Sequence, residues 1–440
     1  MHSDNTIYDF IGIGVGPMNL GLACLTDPIV DLNAIFIDKS TGFNWHPGMM
    51  LEDTTLQIPF IGDLVTLADP TSPYSFLNFL KEKGKIYSFY IRENFLVLRK
   101  EYNQYCQWVI DKLDTVFFNR EVANIVYDEL NKIYVVQVLN HESGNEFYLK
   151  SKKLVLGTGT QPYIPKCCKP FKDIFTHSST YLNYKKELQS KSSITVVGSG
   201  QSAAEIFYDL LQDIDKGYTL NWVTRSPRFF PLEYSKLTLE MTSPEYVDYF
   251  YHLPDHAKKE LLSNQKHLYK GINQDLINAI FDLLYIKNLD DSYDVNLLTN
   301  TELMAVDYDS STKKVLLHFN QVEQQSSFSM SSEGVVLATG YHYQQPGFIQ
   351  GIEDRIQWKG DKYDIHRNYA IDREANEIFV QNAELHTHGF VTPDLGMACY
   401  RNSYILKEIT GKEYYSIEKQ IAFQHFGALK NRTPEVALTN

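Results

Sequence analysis

The sequence of 440 residues lacks the features typical of a membrane, nucleic-acid-binding or secreted protein. No stretch approaches the roughly 20 apolar residues that a transmembrane helix needs. The N-terminus shows no basic region followed by an apolar run, so no signal peptide is predicted. Lys and Arg number 41 against 54 Asp and Glu, and the net charge is −13. This balance argues against a nucleic acid or an anionic membrane as partner, because both need clustered basic surface.

Cysteine is also scarce, and its spacing excludes two further classes of protein. The odd number, the irregular spacing and the lack of any Cys-x-x-Cys argue against a disulfide framework or a structural zinc site. Free thiols fit a reducing compartment, so we expect a cytoplasmic protein. His386 and His388 alternate as on a strand, but no third metal ligand accompanies them, and we predict no metal site. The five cysteines are Cys24, Cys106, Cys167, Cys168 and Cys399.

What the sequence does contain is a Gly-rich turn close to its N-terminus. The apolar run 8–13 predicts a strand, and Gly14 and Gly16 follow it before a helical pattern. Glycines let the backbone approach a pyrophosphate, which the next helix N-terminus binds through its free N–H groups. Asp38 ends the next apolar run, where a carboxylate suits a ribose hydroxyl. Asn19 replaces the third glycine of the usual fingerprint, counted from Gly14. The unit predicts a dinucleotide site.

A second unit of the same kind begins near residue 193. The apolar run 193–197 leads into Gly198 and Gly200, and a helical pattern follows. The strand after that helix ends in Arg225 rather than in an acid. Because an arginine pairs with a 2′-phosphate that a carboxylate would repel, this site favours NADPH over NADH.

The two units define the expected architecture. We predict an α/β fold with two Rossmann-like dinucleotide-binding domains and a small helical substrate region. Related apolar segments that end in Thr-Gly occur at 154–159 and 335–340 and add to the internal duplication. The predicted ranges are 1–170 and 331–440 for an FAD domain, 171–235 and 291–330 for an NADPH domain, and 236–290 for the helical region.

Several further motifs, in one order along the chain, resemble the microbial N-hydroxylating flavin monooxygenases that act on lysine, ornithine or diamines in siderophore biosynthesis. The resemblance runs from about residue 7 to about residue 410. It implies that FAD is reduced by NADPH and that one oxygen atom of O2 passes to the nitrogen of a small amine. The motifs are Trp45 to Met49, Leu56 to Phe60, Asp63 to Leu67, Ala338 to Tyr341 and His386 to Gly389.

The resemblance and the Gly turns together name the cofactor residues. Gln57 is the catalytic candidate, which the resemblance places near the reactive edge of the flavin. The FAD candidates are Gly14, Gly16, Asp38, Trp45, His46 and Gln57. The NADPH candidates are Gly198, Gly200, Gln201, Ser202 and Arg225. Further cofactor-binding candidates are Pro17, Asn19, Lys39, Met49, Glu205, Thr339, Gly340, Tyr341, Asp394 and Leu395.

The substrate positions depart from the pattern of the amino-acid hydroxylases. Where those relatives grip an α-carboxylate with a lysine and two asparagines, this chain has Gly62, Leu239 and Leu268. A buried carboxylate without a cation is costly, so we expect an amine without one: putrescine, cadaverine or histamine. A second ammonium would need an acid, and the candidates are Asp394, Glu240 and Glu233.

Three alternatives stay open at this stage. The chain could hydroxylate L-lysine or L-ornithine after all, if another residue supplies the cation. It could be a flavin monooxygenase that attacks sulfur or a ketone. It could also be a non-catalytic flavin-binding protein or a redox-sensing protein. Beyond the small amine and O2, we expect copies of the chain itself as partners, in a dimer or tetramer.

Overall fold

The computed structural model describes residues 6–290 and 293–428, and most of this part forms strands and helices. The strands are β1 Ile7–Ile13, β2 Ala34–Ile37, β3 Thr55–Pro59, β4 Leu96–Leu98, β5 Val116–Phe117, β6 Arg120–Asp128, β7 Ile133–Asn140, β8 Glu146–Leu156, β9 Thr160–Pro162, β10 Thr176–His177, β11 Ser193–Val197, β12 Thr219–Val223, β13 Val295–Leu298, β14 Thr301–Asp309, β15 Lys314–Gln321, β16 Ser326–Ser332, β17 Gly334–Leu337, β18 Tyr341–Tyr343, β19 Trp358–Lys359, β20 Lys362–Tyr363 and β21 Ile378–Val380.

The α-helices lie between these strands and in one block before β13. They are α1 Pro17–Thr26, α2 Phe76–Glu82, α3 Ile86–Arg92, α4 Arg99–Ile110, α5 Tyr181–Leu188, α6 Gln201–Gln212, α7 Lys236–Leu239, α8 Pro244–His252, α9 Asp255–Asn264, α10 His267–Lys270, α11 Gln274–Lys287, α12 Leu385–His388 and α13 Ala398–Thr410. No helix of the described residues combines the length and the apolarity needed to cross a bilayer.

Two sheets, each with a parallel core, organise the chain. The first has the order β5-β2-β1-β8-β7-β6, with β21 beside β8, and its centre is parallel. The second has the order β10-β17-β11-β12-β13 and is parallel throughout. Their central strands are apolar on both faces because helices or other strands cover both sides. The predicted α/β fold with two Rossmann-like domains is confirmed.

The chain crosses between the two domains at a short ribbon. β9 and β18 pair antiparallel there, on the way into and out of the second domain. Before the predicted boundary at 170/171, Cys168 already packs in the core of the second domain. After the boundary at 330/331, β17 pairs with β11 in the second sheet. Both boundaries therefore shift toward the ribbon, because strand pairing, which the sequence does not reveal, decides to which sheet a segment belongs.

The helical region also divides in two. Helices α8 to α10 contribute Tyr246, Phe250 and Leu268 to an apolar cluster with Phe390. By contrast, α11 places Ile280 in the core of the second domain, against α6. The substrate region predicted at 236–290 thus contains a cap, formed by residues 236–270, and one helix that belongs to the second domain.

The C-terminal part of the chain closes the first domain. Helix α13 packs along α1, so the two ends of the described chain share one core. The segment of His386 and His388 forms the helix α12 rather than the strand-like alternation that the sequence suggested. No group of three His, Cys, Asp or Glu side chains in residues 6–290 and 293–428 is arranged to hold a metal ion.

Candidate active site between two dinucleotide-binding domains

The first Gly turn is shaped for a close approach of backbone and ligand. Gly14 has a φ of +91°, and a Cβ there would lie 2.4 Å from the carbonyl oxygen of Gly157. Helix α1 follows with Pro17 in its first turn, without a side-chain cap or an acid there. Its free N–H groups therefore remain available to an anion. Asp38 accepts a hydrogen bond of 2.7 Å from the backbone N–H of Val15. This turn fits the pyrophosphate and ribose of FAD.

Asn19, predicted to contact the cofactor, has its side chain bonded to the first Gly turn. The residue is fully buried. Its amide donates to the carbonyl oxygen of Gly14 at 2.8 Å and accepts from the amide of Gln381 at 2.6 Å. With both ends of its side-chain amide bonded inside the protein, Asn19 stabilises the glycine turn.

The second Gly turn repeats the geometry of the first. Gly198 has a φ of +141°, and a Cβ there would lie 2.1 Å from the carbonyl oxygen of Ala338. Helix α6 again begins without a side-chain cap or an acid in its first turn. Arg225 lies past the end of β12 with 74% of its side chain exposed, 3.7 Å from Glu302. An exposed arginine with one distant partner is free to meet a phosphate, so this turn fits NADPH.

Arg99 joins the two domains and was not found from the sequence. Its guanidinium binds both carboxylate oxygens of Glu205, at 2.8 and 3.0 Å, and donates to the carbonyl oxygen of Met49 at 2.8 Å. Glu205 and Met49 are both buried. Their polar groups, predicted to contact the cofactor, have partners inside the protein. Nothing in the local sequence marks Arg99, since its partner is 106 residues away.

An aromatic group lies where the chain crosses between the domains. The ring of Tyr341 stands edge-on to His46 at 5.6 Å and to His177 at 5.5 Å. Trp45 lies 4.9 Å from His46. Burial, together with the charge of Arg99, lowers the pKa of His46 to about 4. His46 is therefore neutral at neutral pH and can serve there as a hydrogen-bonding ring.

The remaining predicted cofactor-binding residues lie near the ribbon of β9 and β18 or at the two Gly turns. The hydroxyl of Thr339 donates to the carbonyl oxygen of Tyr163, and Gly340 has a φ of +81°. Lys39 is exposed beside Asp38. Gly16, Gly200 and Ser202 are half-buried around the two turns.

Gln57 lies on β3 and receives hydrogen bonds from two residues that the sequence did not single out. Asn273 donates its side-chain amide to Oε1 of Gln57 at 3.0 Å. The phenol of Tyr234 donates to the backbone carbonyl of Gln57 at 2.8 Å. The backbone N–H of Asn273 donates to the side chain of Gln201 at 2.8 Å, and Gln201 donates to Glu205 at 2.9 Å. Gln57 is thereby connected to the second Gly turn.

Asp394 lies close to Tyr234, whose phenol donates to Gln57. Gly62 is buried, and a Cβ on it would be 3.5 Å from Cα of Gly396, in the loop that begins with Asp394. Burial raises the pKa of Asp394, although the backbone N–H of Gly396 opposes the shift. Asp394 is also near enough to Tyr234 for its charge to add to the burial that raises the pKa of the phenol. Leu395 follows Asp394 and packs against the core of the first domain.

The other substrate candidates lie elsewhere. Glu240 accepts from the backbone N–H groups of Phe423 and Gln424, so it is occupied by the C-terminal segment. Glu233 is exposed. Leu239 is exposed on α7, and Leu268 packs in the cap cluster. Neither leucine brings a polar group that could hold a carboxylate.

Two sheets with parallel cores and paired Gly turns define the class, which is that of the oxidoreductases built on two dinucleotide-binding domains. The chain belongs to the L-lysine 6-monooxygenase/L-ornithine 5-monooxygenase family, whose model matches residues 6–343. The resemblance that the motifs indicated is confirmed, and with it the assignment as a flavin-dependent N-monooxygenase.

Three relatives place the chain more closely within this family. The putrescine N-hydroxylase of Shewanella oneidensis is 54% identical over 96% of this chain and 85% of that protein. The alcaligin biosynthesis enzyme of Bordetella pertussis is 50% identical over 97% of this chain and 94% of that protein. The crystal structure of the FAD-bound cadaverine monooxygenase of desferrioxamine biosynthesis in Erwinia amylovora has a TM-score of 0.95 at 59% identity, and covers 97% of this chain and 100% of that one.

Proposed function

We propose that this protein hydroxylates one nitrogen of an aliphatic diamine, putrescine or cadaverine, for the biosynthesis of a siderophore. Two relatives with 54% and 59% identity are a putrescine N-hydroxylase and a cadaverine monooxygenase. They favour a diamine over histamine, and over the L-lysine and L-ornithine that the sequence left open. Attack on sulfur or a ketone, and flavin binding without catalysis, find no support among these relatives.

The cofactors are FAD at the first Gly turn and NADPH at the second. When bound, FAD reduced by NADPH supplies the activation of O2 that places an oxygen atom on the amine. Gly14 and Gly16 let the backbone approach the pyrophosphate, and Asp38 meets a ribose hydroxyl. Gly198 and Arg225 have the corresponding roles for NADPH, with Arg225 on the 2′-phosphate.

The position of Asp394 is the main structural argument for a diamine as the substrate. Of the three candidate acids, Asp394 is the one whose charge acts on the phenol of Tyr234, which in turn donates to the backbone carbonyl of Gln57. The loop of Asp394 lies against Gly62. Glu240 is occupied by the C-terminal segment, and Glu233 is exposed. An ammonium at the far end of a diamine would pair with this carboxylate. The α-carboxylate of lysine or ornithine would instead meet an acid and find no cation at Gly62. A substrate bound beside this carboxylate is therefore favoured when it is a diamine and disfavoured when it is an amino acid.

Replacing Asp394 tests this proposal. Asp394→Asn keeps the acceptor for the N–H of Gly396 but removes the charge. A charge-assisted hydrogen bond is worth about 1.5–3 kcal/mol, so we expect KM for putrescine or cadaverine to rise roughly ten- to a hundredfold. Activity on a monoamine of the same length should hardly change. Glu233→Gln, an exposed acid, is the matched control. Unchanged KM in Asp394→Asn, or wild-type turnover of lysine that matches the diamines, would refute the proposal.

The pH dependence follows from the raised pKa of Asp394. A carboxyl whose pKa is raised by burial is fully ionised only above that raised value, so it loses its attraction for an ammonium as the pH falls through it. We expect KM for the diamine to increase toward acid pH in the wild type and to depend much less on pH in Asp394→Asn. The reacting nitrogen must itself be neutral, so kcat should rise with pH in both proteins. Steady-state kinetics between pH 5 and 9 would separate the two effects.

The proposal extends to location and assembly. All five cysteines are free thiols, which suits a cytoplasmic enzyme. Tyr87, Tyr90 and Ile91 on α3 are 76%, 77% and 74% exposed, an apolar surface that fits contact between copies of the chain. Light scattering of the purified protein tests assembly directly, and a monomer at micromolar concentration would contradict a homo-oligomer.

A further inference from the structure

Asn273 stands between the two cofactor sites and bonds to both. It is the N-cap of α11, where its Oδ1 accepts from the backbone N–H groups of Asp275 and Leu276 at 2.9 and 3.2 Å. Because Oδ1 is used by the helix, the side-chain NH2 must point away from it. That NH2 donates to Oε1 of Gln57, on β3 of the first domain. The capping of one helix thus fixes which group faces Gln57.

The direction of these hydrogen bonds decides how Gln57 is turned. An isolated glutamine amide can rotate by 180° and exchange its oxygen with its NH2 group. Oε1 of Gln57 accepts from the NH2 of Asn273 and also lies 3.4 Å from the phenol oxygen of Tyr234. These two donors keep the oxygen of Gln57 facing Asn273. Within residues 6–290 and 293–428, its NH2 donates one hydrogen bond, to the carbonyl oxygen of Thr55 at 3.3 Å. One N–H of Gln57 is consequently left to be presented to a ligand.

The same polarity continues into the second domain. Oε1 of Glu205, which is bound by Arg99, also accepts from the NH2 of Gln201. This leaves Oε1 of Gln201 to accept from the backbone N–H of Asn273. The side-chain amides of Gln201, Asn273 and Gln57 are therefore each held in one orientation by hydrogen bonds that begin at the Arg99–Glu205 ion pair.

We infer that Asn273 is a positioning residue, which turns the amide of Gln57 so that its N–H faces the flavin and ties that orientation to the NADPH domain. The inference rests on the proposed function in one respect, the place of Gln57 at the flavin. Asn273 itself needs no contact with substrate or cofactor. It acts because a fixed donor stabilises the developing charge at a reacting centre, whereas a flipped amide would present a carbonyl oxygen to it.

Asn273→Asp tests this directly, since it separates the two tasks of the residue. An aspartate caps a helix as well as an asparagine does, so α11 keeps its N-cap. It has no NH2, however, and can only accept, so Gln57 must turn its own NH2 toward it. We expect kcat and the yield of hydroxylamine per NADPH oxidised to fall about three- to tenfold, with little change in KM for the diamine. Asn273→Ser, which caps but does not reach Gln57, should fall between this variant and the wild type.

Two further measurements do not depend on turnover. The unfolding midpoint of the apoprotein should be the same for wild type and Asn273→Asp, because the cap is retained. The visible absorption spectrum of the bound flavin should shift in Asn273→Asp, because a carbonyl replaces an N–H beside it. These readings remain valid if the protein proves inactive on every diamine, which would refute the proposed substrate instead.

A double-mutant cycle with Gln57→Ala completes the test. If Asn273 acts through Gln57, Asn273→Asp has no further effect on kcat or on the flavin spectrum in the Gln57→Ala protein. Wild-type kcat and spectrum in Asn273→Asp would overturn the inference. So would effects of the two substitutions that simply add, or a Gln57→Ala protein that behaves like the wild type.

Discussion

The two dinucleotide-binding domains have the same strand–turn–helix arrangement but differ in how deeply the residues around the Gly turn are buried. All ten residues of α1 are buried, whereas seven of the twelve residues of α6 are. The acid after β2, Asp38, is half-buried and bonded to the turn, while the cation after β12, Arg225, is mostly exposed. A buried and internally bonded site suits a cofactor that stays, and an open one suits a cofactor that exchanges. The comparison therefore favours a retained cofactor in the first domain and an exchanging cofactor in the second.

The largest expected effect comes from filling the two glycine turns one at a time. In Gly14→Ala the new Cβ meets the carbonyl oxygen of Gly157, and in Gly198→Ala that of Ala338, each at a positive φ. We expect Gly14→Ala to be purified nearly free of flavin. Gly198→Ala should retain FAD and bind NADPH at least about tenfold more weakly, since a clash and strain cost about 1–3 kcal/mol. Flavin content and NADPH titration measure the two outcomes.

A control for this pair is available in the same chain. Gly42 is exposed and has nothing within 4 Å of an added Cβ, so Gly42→Ala should behave like the wild type. Loss of FAD from both turn variants, or from neither, would contradict the assignment of one cofactor to each domain.

A smaller effect is expected from cutting the charged contact between the domains. The side chains of Arg99 and Glu205 are 12% and 2% exposed. Arg99→Met leaves the Glu205 carboxylate buried without its cation, which should lower the free energy of unfolding by about 3–5 kcal/mol. The double variant Arg99→Met with Glu205→Met should recover most of this loss, because no charge is left buried. Urea denaturation of both proteins tests it, and equal stability of the single and double variants would show that the pair is not coupled.

The features that could be predicted from the sequence are those that lie within one strand–turn–helix unit. The glycines at 14 and 198, the acid at 38 and the arginine at 225 follow from local spacing, and the structure places each at a turn or a strand end. The domain boundaries were displaced, because β17 joins the second sheet through a partner 140 residues earlier in the chain. Local pattern does not report such pairing.

The contacts that connect the domains were missed for the same reason. Gln57 lies 177 residues from Tyr234 and 216 from Asn273 along the chain. An asparagine before a helix is expected to be an N-cap, and Asn273 is one. Its hydrogen bond to Gln57 could therefore not be predicted from the sequence. The sequence also did not reveal that Asn19 and Glu205, each next to a Gly turn, have side-chain partners inside the protein.

The smallest expected effect is that of replacing Arg225, and it tests whether the NADPH site is open to solvent. Arg225→Ala should weaken NADPH about five- to tenfold and NADH hardly at all, because only NADPH carries the 2′-phosphate. The loss is modest since an exposed charge is screened by water and salt, and it should shrink further at high ionic strength. Glu302→Gln removes the carboxylate that competes for Arg225 at 3.7 Å and should strengthen NADPH binding about twofold. Steady-state KM values for both nucleotides, at low and high salt, measure all three proteins. An equal loss for NADH and NADPH in Arg225→Ala would mean that the arginine holds β12 and β14 together instead of reading the phosphate.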